Sequence, residues 1–148
     1  MGARRTGRER ALQALYQLEM TPGTPAEALA SAWSSSAGAE GAEAAEPGKP
    51  DPEAQRFAQE LVTGVVQNRA EIDRLIEEHS HNWRLDRMSR IDRNVLRLGI
   101  FELKYRPDIP KKVSLNEAVE LGKNFGTEES SAFVNGLLDR IALALGKA

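Results

Sequence analysis

The sequence predicts an all-α fold, and three observations predict it. Leu, Ala, Glu and Arg dominate the composition while only 5% of the residues are aromatic, a balance that favours helices over strands. Apolar residues recur at i, i+3, i+4 and i+7 through most segments, the repeat of a single helical face. Ser or Thr followed three residues later by Glu heads several of these segments. In that pattern each side chain satisfies an amide that a helix start leaves open. At 148 residues the chain makes one domain, 1–148, large enough to bury most of its apolar surface without staples.

Met1 to Arg5 reads as a short basic arm. Thr6 and Glu9 form the first capping pair, so the first helix starts at Thr6, with Ala11, Leu12, Leu15 and Leu18 as its buried stripe and Tyr16 at one margin. Arg8 lies in its first turn, where a cation opposes the helix dipole. Together with Arg4, Arg5 and Arg10 it makes four Arg in ten residues. Such a cluster either solubilises a tail or holds phosphates, each neutralised phosphate adding a salt-dependent increment of binding. Thr24, Pro25 and Glu27 start a short second helix that ends near Ser34, with Leu29 and Trp33 as its apolar contacts. Residues 35–50, SSAGAEGAEAAEPGKP, lack periodicity and read as a mobile acidic surface loop, longer than ordinary helix connections.

Asp51, Pro52 and Glu53 cap the third helix. From Phe57 to His79 the helical spacing is nearly unbroken, which gives one long helix or two stacked pieces with a bend near Asn68. His79 and His81 lie beside Glu77 and Glu78, but two His separated by one residue do not share a helical face. No metal and no cofactor is expected. Asn82 to Met88 is a connector anchored by Trp83 and Leu85. The next helix, from about Ser89 to Tyr105, stops before Pro107 and Pro110. It is apolar almost all round, as Ile91, Val95, Leu96, Leu98, Ile100 and Phe101 show, which marks a buried central helix. Its polar stripe of Arg90, Arg93, Arg97 and Lys104 carries one sign of charge, unlike an ordinary solvated face. Glu102 projects between Ile91, Val95 and Leu98, where an unpaired carboxylate is costly. It is expected to be at least partly buried and bonded to an Arg or to backbone amides.

The last third reads helix, tight stop, helix. Ser114 and Glu117 make a capping pair, and Leu115, Ala118, Val119, Gly122 and Phe125 share one face. Gly126 is expected to end that helix in the left-handed conformation. Thr127 then caps the final helix, with Glu128 and Glu129 at its positive end. Val134, Leu137, Leu138, Ile141 and Leu145 form the buried arc of this helix. Phe133 falls at the edge of the arc, and Glu129, Gly136 and Arg140 continue as a polar strip beside it. A ring next to a glycine gap and flanked by charge either fills the core or stacks a nucleic-acid base.

Charge is unevenly spread. Residues 1–10 and 61–112 each carry +3, against −6 in 11–60 and −2 in 113–148. A nucleic acid would meet local basic patches, which favours a modest, partner-assisted binder. The absence of cysteine excludes disulfides and thiolate metal sites and fits a reducing cytoplasm. No apolar run approaches the ~20 residues of a membrane span, and the amino terminus lacks the apolar core of a signal peptide. No glycine-rich phosphate loop, Cys nucleophile or Ser/His/Asp set stands at catalytic spacing, so no enzyme is expected.

The run VSLNEAVELGKNFGTEESSAFVNGLLD, with IDRNVLRLGIFEL upstream and an Arg-rich start before RALQALYQLEM, resembles the NusB family of bacterial transcription antitermination factors. The resemblance implies about seven helices in two small packed bundles sharing a buried central helix. It also implies a heterodimer with NusE, a small-subunit ribosomal protein, that binds boxA-type single-stranded RNA of the nascent transcript. Within an RNA polymerase antitermination complex such proteins help the enzyme pass terminators, notably in ribosomal RNA operons. Carried over by motif, Arg4, Arg5, Arg8 and Arg10 hold phosphates, and Phe125, Glu129 and Phe133 lie at the base-contacting end. Tyr16, Asp86 and Asp92 lie towards the protein partner or its junction with RNA. Residues 21–56 fall outside the resemblance, Gly99 stands where Ala is expected, and Glu129 stands where Asp would also fit. A similar module forms the front of some RNA cytosine methyltransferases, but this chain stops without a methyltransferase domain. The alternatives are a stand-alone RNA-binding module of that kind and a homo-oligomeric helical interaction protein. Homodimerisation stays open, because some NusB-like proteins self-associate over their binding surface.

Overall fold

The computed structural model describes residues 2–37, 51–80, 84–127 and 129–147. Among these, seven α-helices carry the fold and no strand occurs: α1 Ala3–Met20, α2 Pro25–Ala37, α3 Pro52–Gln67, α4 Arg69–His79, α5 Arg90–Tyr105, α6 Lys111–Phe125 and α7 Ser130–Ala144. A short 3-10 turn, Leu85–Arg87, precedes α5. The helices group into two compact units, Met1–Thr63 and Gly64–Ala148.

In the first unit α1 begins at Ala3 rather than Thr6, with Gly2 in the cap position and no side-chain cap bond. Arg4 and Arg5 are therefore helical and not part of an extended arm. Ala and Arg are good helix formers, so a growing helix takes in Ala3, Arg4 and Arg5 at little cost. At α2 the expected reciprocal cap does form: Thr24 N donates to Glu27 Oε1 at 2.9 Å, and Glu27 N donates to Thr24 Oγ1 at 3.1 Å. The helix then runs past Ser34 to Ala37. The rest of the acidic tract lies outside the described residues. Asp51 Oδ1 accepts from Glu53 N at 2.8 Å and starts α3. α1 packs on α2, and Ala11, Leu12, Ala14 and Ala28 are buried. Gly7 brings α3 close: a Cβ there would stand 3.0 Å from Ala54 O and 3.1 Å from the Phe57 ring.

In the second unit the bend expected near Asn68 is a clean break. Asn68 closes α3 with its backbone N and its Nδ2, both donating to Gly64 O, and then accepts from Ile72 N to open α4. α5, capped by Ser89 accepting from Asp92 N at 3.0 Å, is buried from Asn94 through Leu103. It packs on α4, α6 and α7. Gly99 is explained by that packing, since a Cβ there would come within 2.7 Å of Leu138 Cδ1 on α7. The close approach offsets the helix cost of glycine, about 1 kcal/mol.

The one-sign stripe on α5 is partly engaged within the fold: Arg90 and Lys104 are exposed, Arg93 is half-buried and Arg97 is buried. Arg97 is buried and donates from Nε and Nη2 to Asp73 Oδ1 and Oδ2 on α4, at 2.8 and 3.1 Å. This is the two-pronged geometry in which a guanidinium is best matched to a carboxylate. Lys104 donates to Glu71 at 2.6 Å, and Arg93 to the Met88 carbonyl at 2.9 Å. Arg74 together with Lys104 holds the Glu71 carboxyl down at about 2. α4 thus supplies the acids that pair with Arg97 and Lys104 of α5.

Glu102 is only 2% exposed, as expected. Its recorded partner is the hydroxyl of Ser114, which donates to Oε1 at 2.9 Å. Ser114 is consequently not a helix cap. α6 starts three residues earlier at Lys111, behind Pro110 and without a side-chain cap. Two further expectations at the α6–α7 junction are corrected. Gly126 has φ −107°, so left-handed freedom is not what requires glycine there. The requirement is room, because a Cβ would stand 2.5 Å from Ser130 Oγ and 2.9 Å from Gly122 O. Thr127 does not cap α7 either. Its amide donates to Ser130 Oγ at 3.0 Å, and the cap position belongs to Glu129. The buried arc of α7 is as expected for Val134, Leu137, Leu138 and Ile141, while Leu145 is half-buried. His81, Trp83 and Glu128, singled out in the sequence, lie outside the described residues.

Candidate nucleic-acid interface

The four amino-terminal arginines separate by helical angle. Arg4 and Arg8, one turn apart on α1, both set their guanidinium groups 5.2 Å from the centroid of the Phe57 ring. Arg4 is exposed, but Arg8 is only 3% exposed. Burial speaks against the expected phosphate role of Arg8, whose guanidinium lies over an aromatic face inside the first unit, a favourable contact for a desolvated cation. The sequence carried the signal, since Arg8 stands four residues before Leu12 and seven before Leu15, on the apolar stripe itself. Arg5 is half-buried. Arg10 faces α2, with its guanidinium 5.6 Å from the Trp33 ring centroid and Nη1 donating to Gln13 Oε1 at 3.2 Å. Its Nε is buried without a hydrogen-bond partner. Arg4, which is exposed, and Arg5, which is half-buried, lie at the start of α1, whose first turn carries no acidic residue. Tyr16 is exposed on the same helix.

In the second unit the α6–α7 corner gathers Phe125, Glu129 and Phe133. Phe125 ends α6 with its ring 38% exposed, Glu129 is exposed at the α7 cap, and Phe133 is half-buried in the first turn of α7. The corner is held rigidly. Gly126 N donates to Gly122 O at 2.9 Å, Phe133 N to Glu129 O at 3.2 Å, and Ser131 Oγ to Val119 O at 3.2 Å. Along α7, Gly136 and the exposed Arg140 extend the strip, and Arg140 Nη2 donates to the His79 carbonyl at 3.4 Å.

The two acids expected on the partner side have different settings. Asp86 is exposed in the 3-10 turn, with Arg84 Nε 3.5 Å from its Oδ1, a solvated pair of little energetic consequence. Asp92 is half-buried in the first turn of α5, where the helix dipole favours its charge, and its Oδ1 is buried without a hydrogen-bond partner. That Oδ1 was not readable from spacing, because its burial depends on tertiary packing.

Two hollows complete the surface. One of about 330 Å³ is lined by Lys111, Lys112, Leu115, Asn116 and Asn135 among others. The other, of about 550 Å³, runs between α2 and α3 past Leu29, Trp33 and Arg56. No cluster of His, Cys, Asp and Glu able to hold a metal occurs among the described residues. No helix of the described residues is long and apolar enough to cross a membrane.

Known proteins match this chain along nearly its whole length. The model of the NusB family matches residues 5–143. A transcription antitermination protein NusB from Myxococcus xanthus (strain DK1622) is 76% identical over 147 residues, covering 99% of each chain. Among solved structures, NusB of T. maritima superposes with a TM-score of 0.80 at 36% identity, over 95% of this chain and 90% of that one. A crystal structure of the antitermination factors NusB and NusE in complex with double-stranded RNA matches with a TM-score of 0.79 at 28% identity, over 96% and 97% of the two chains.

Proposed function

The chain belongs to the NusB family, and on that premise we propose that it is a transcription antitermination factor. It binds boxA-type single-stranded RNA of the nascent transcript together with the ribosomal protein NusE, as part of an RNA polymerase antitermination complex acting notably in ribosomal RNA operons. It works in the cytoplasm as a single RNA-binding domain and as a binding protein, not an enzyme. Arg4, Arg5 and Arg10 meet phosphates. Phe125, Glu129 and Phe133 meet bases, and Tyr16, Asp86 and Asp92 face NusE or its junction with RNA.

The α6–α7 corner carries this reading. An exposed Phe125 and a half-buried Phe133 flank the exposed carboxylate of Glu129 on a hydrogen-bonded backbone. Unstacked bases of a single strand are recognised by such rings, with a polar group reading an edge. Glu129 acts as a selector there, accepting from a base amino group or repelling a misplaced phosphate. The test pairs melting temperature with RNA affinity for Phe133→Ala. A base-stacking ring gives up ~1–3 kcal/mol of RNA binding on truncation, with a stability loss well below the ~3–5 kcal/mol of a core Phe→Ala. A large stability loss with unchanged affinity in the folded fraction contradicts the stacking role.

A further inference from the structure

Gly136 lies in the middle of α7, where glycine is less favourable than alanine because it loses more backbone freedom and adds no contact. Other glycines of this chain have a reason to be glycine. At Gly7, Gly64, Gly99 and Gly126 a Cβ would come within 3.0 Å of a neighbouring atom, and Gly146 has φ +74°. Gly136 has neither reason. Its φ is not positive, and the nearest atom to a Cβ there is Arg140 Nη1 at 3.9 Å. Among the described residues, and apart from the adjoining residues and backbone of α7 itself, no atom comes closer than 3.9 Å to the place of a Cβ there.

The surroundings of this gap are specific. Phe133 lies three residues before Gly136 and Arg140 four after, so all three share one face. At 1.5 Å rise per residue, ring and guanidinium are rooted about 10.5 Å apart along the axis. Helical side chains lean back towards the amino terminus, which carries the guanidinium over Gly136, as the 3.9 Å approach records. The bond from Arg140 Nη2 to the last residue of α4, the His79 carbonyl, steadies the group there. The result is a stretch of α7 with no side chain at position 136, an aromatic ring rooted one turn before it and the planar cation of Arg140 drawn back over it. Both groups are stacking surfaces for an unpaired nucleobase.

We propose that Gly136 is the floor of a nucleotide slot on α7, in which one base of a single-stranded RNA lies against the helix backbone between the Phe133 ring and the Arg140 guanidinium. This rests on the RNA-binding reading and assigns it a shape requirement: any side chain at position 136 occupies the space of the base. Gly136 is then a specificity-determining position whose role is to have no side chain.

The experiment compares the parent chain with Gly136→Ala, Gly136→Leu and, as an exposed control about 100° round α7 from the slot, Asn135→Ala. Melting temperature and affinity for a boxA-type single-stranded RNA are measured for each. Gly136→Ala is expected to melt at the same temperature or about 2–4 °C higher, yet to bind RNA more weakly. Gly136→Leu is expected to stay folded and lose about tenfold or more in affinity, and Asn135→Ala to keep parental affinity. A Gly136→Leu chain that binds RNA as tightly as the parent overturns the slot, and so does a Gly136→Ala chain that melts several degrees lower. A parent chain that binds no RNA removes the underlying reading as well, which separates the two failures.

Discussion

Glu102 shows how a charge is accommodated in the middle of an apolar helix. It sits on α5 at 2% exposure and accepts the Ser114 hydroxyl at 2.9 Å. Removing the carboxylate by Glu102→Ala strands that hydroxyl and leaves a hole, so it should lower unfolding free energy by ~1–3 kcal/mol. Glu102→Gln, which can still accept, should lose less. Denaturant titration of the two variants checks this, and equal stability of Glu102→Ala and parent would reject it. The sequence disclosed that Glu102 would be buried, because its helical angle falls among apolar neighbours. It did not disclose the partner, which lies twelve residues away. The same long-range bond explains the misreading of Ser114, whose spacing to Glu117 satisfies a capping pattern while its hydroxyl is engaged by another helix. Gly99 and Gly126 follow the same logic, since close approach by Leu138 and by Ser130 is a tertiary fact.

Helix identity was readable from the periodicity, while the α3–α4 break near Asn68 was one of two arrangements the spacing allowed. The helix starts at Thr24, Asp51 and Ser89 were readable, and those at Thr6 and Ser114 were not. Thr24 follows Pro22 and Gly23, and its cap forms. Thr6 and Ser114 follow residues that extend the helix, and their caps do not. This matters for the basic start of the chain, because it places Arg4 and Arg5 in the first turn of α1 and not on a loose arm. Replacing both by Gln should remove about two phosphate contacts and flatten the log–log salt dependence of RNA binding by about 1.4. The melting temperature should hold or rise slightly, since cations at a helix start oppose its dipole. Arg8→Gln should show the reverse pattern, a loss of stability with an unaltered salt slope, because its charge rests on Phe57. An unaltered slope for the Arg4/Arg5 variant would remove the phosphate role of α1.

The whole molecule carries a net charge of −2, which leaves little long-range attraction for a polyanion. Two of the four cations in the α5 stripe, Arg97 and Lys104, are paired with Asp73 and Glu71 of α4. What remains for RNA is local: the first turn of α1 and the α6–α7 corner. A surface of that kind binds weakly alone and gains from a partner that supplies further contacts. The most direct test is an electrophoretic titration of the purified chain against boxA-type single-stranded RNA, a scrambled strand of equal length and a double-stranded form, each with and without NusE. The expected result is preference for the boxA strand over both competitors, with an affinity that rises when NusE is added. Equal binding of all three RNAs, unchanged by NusE, would contradict it.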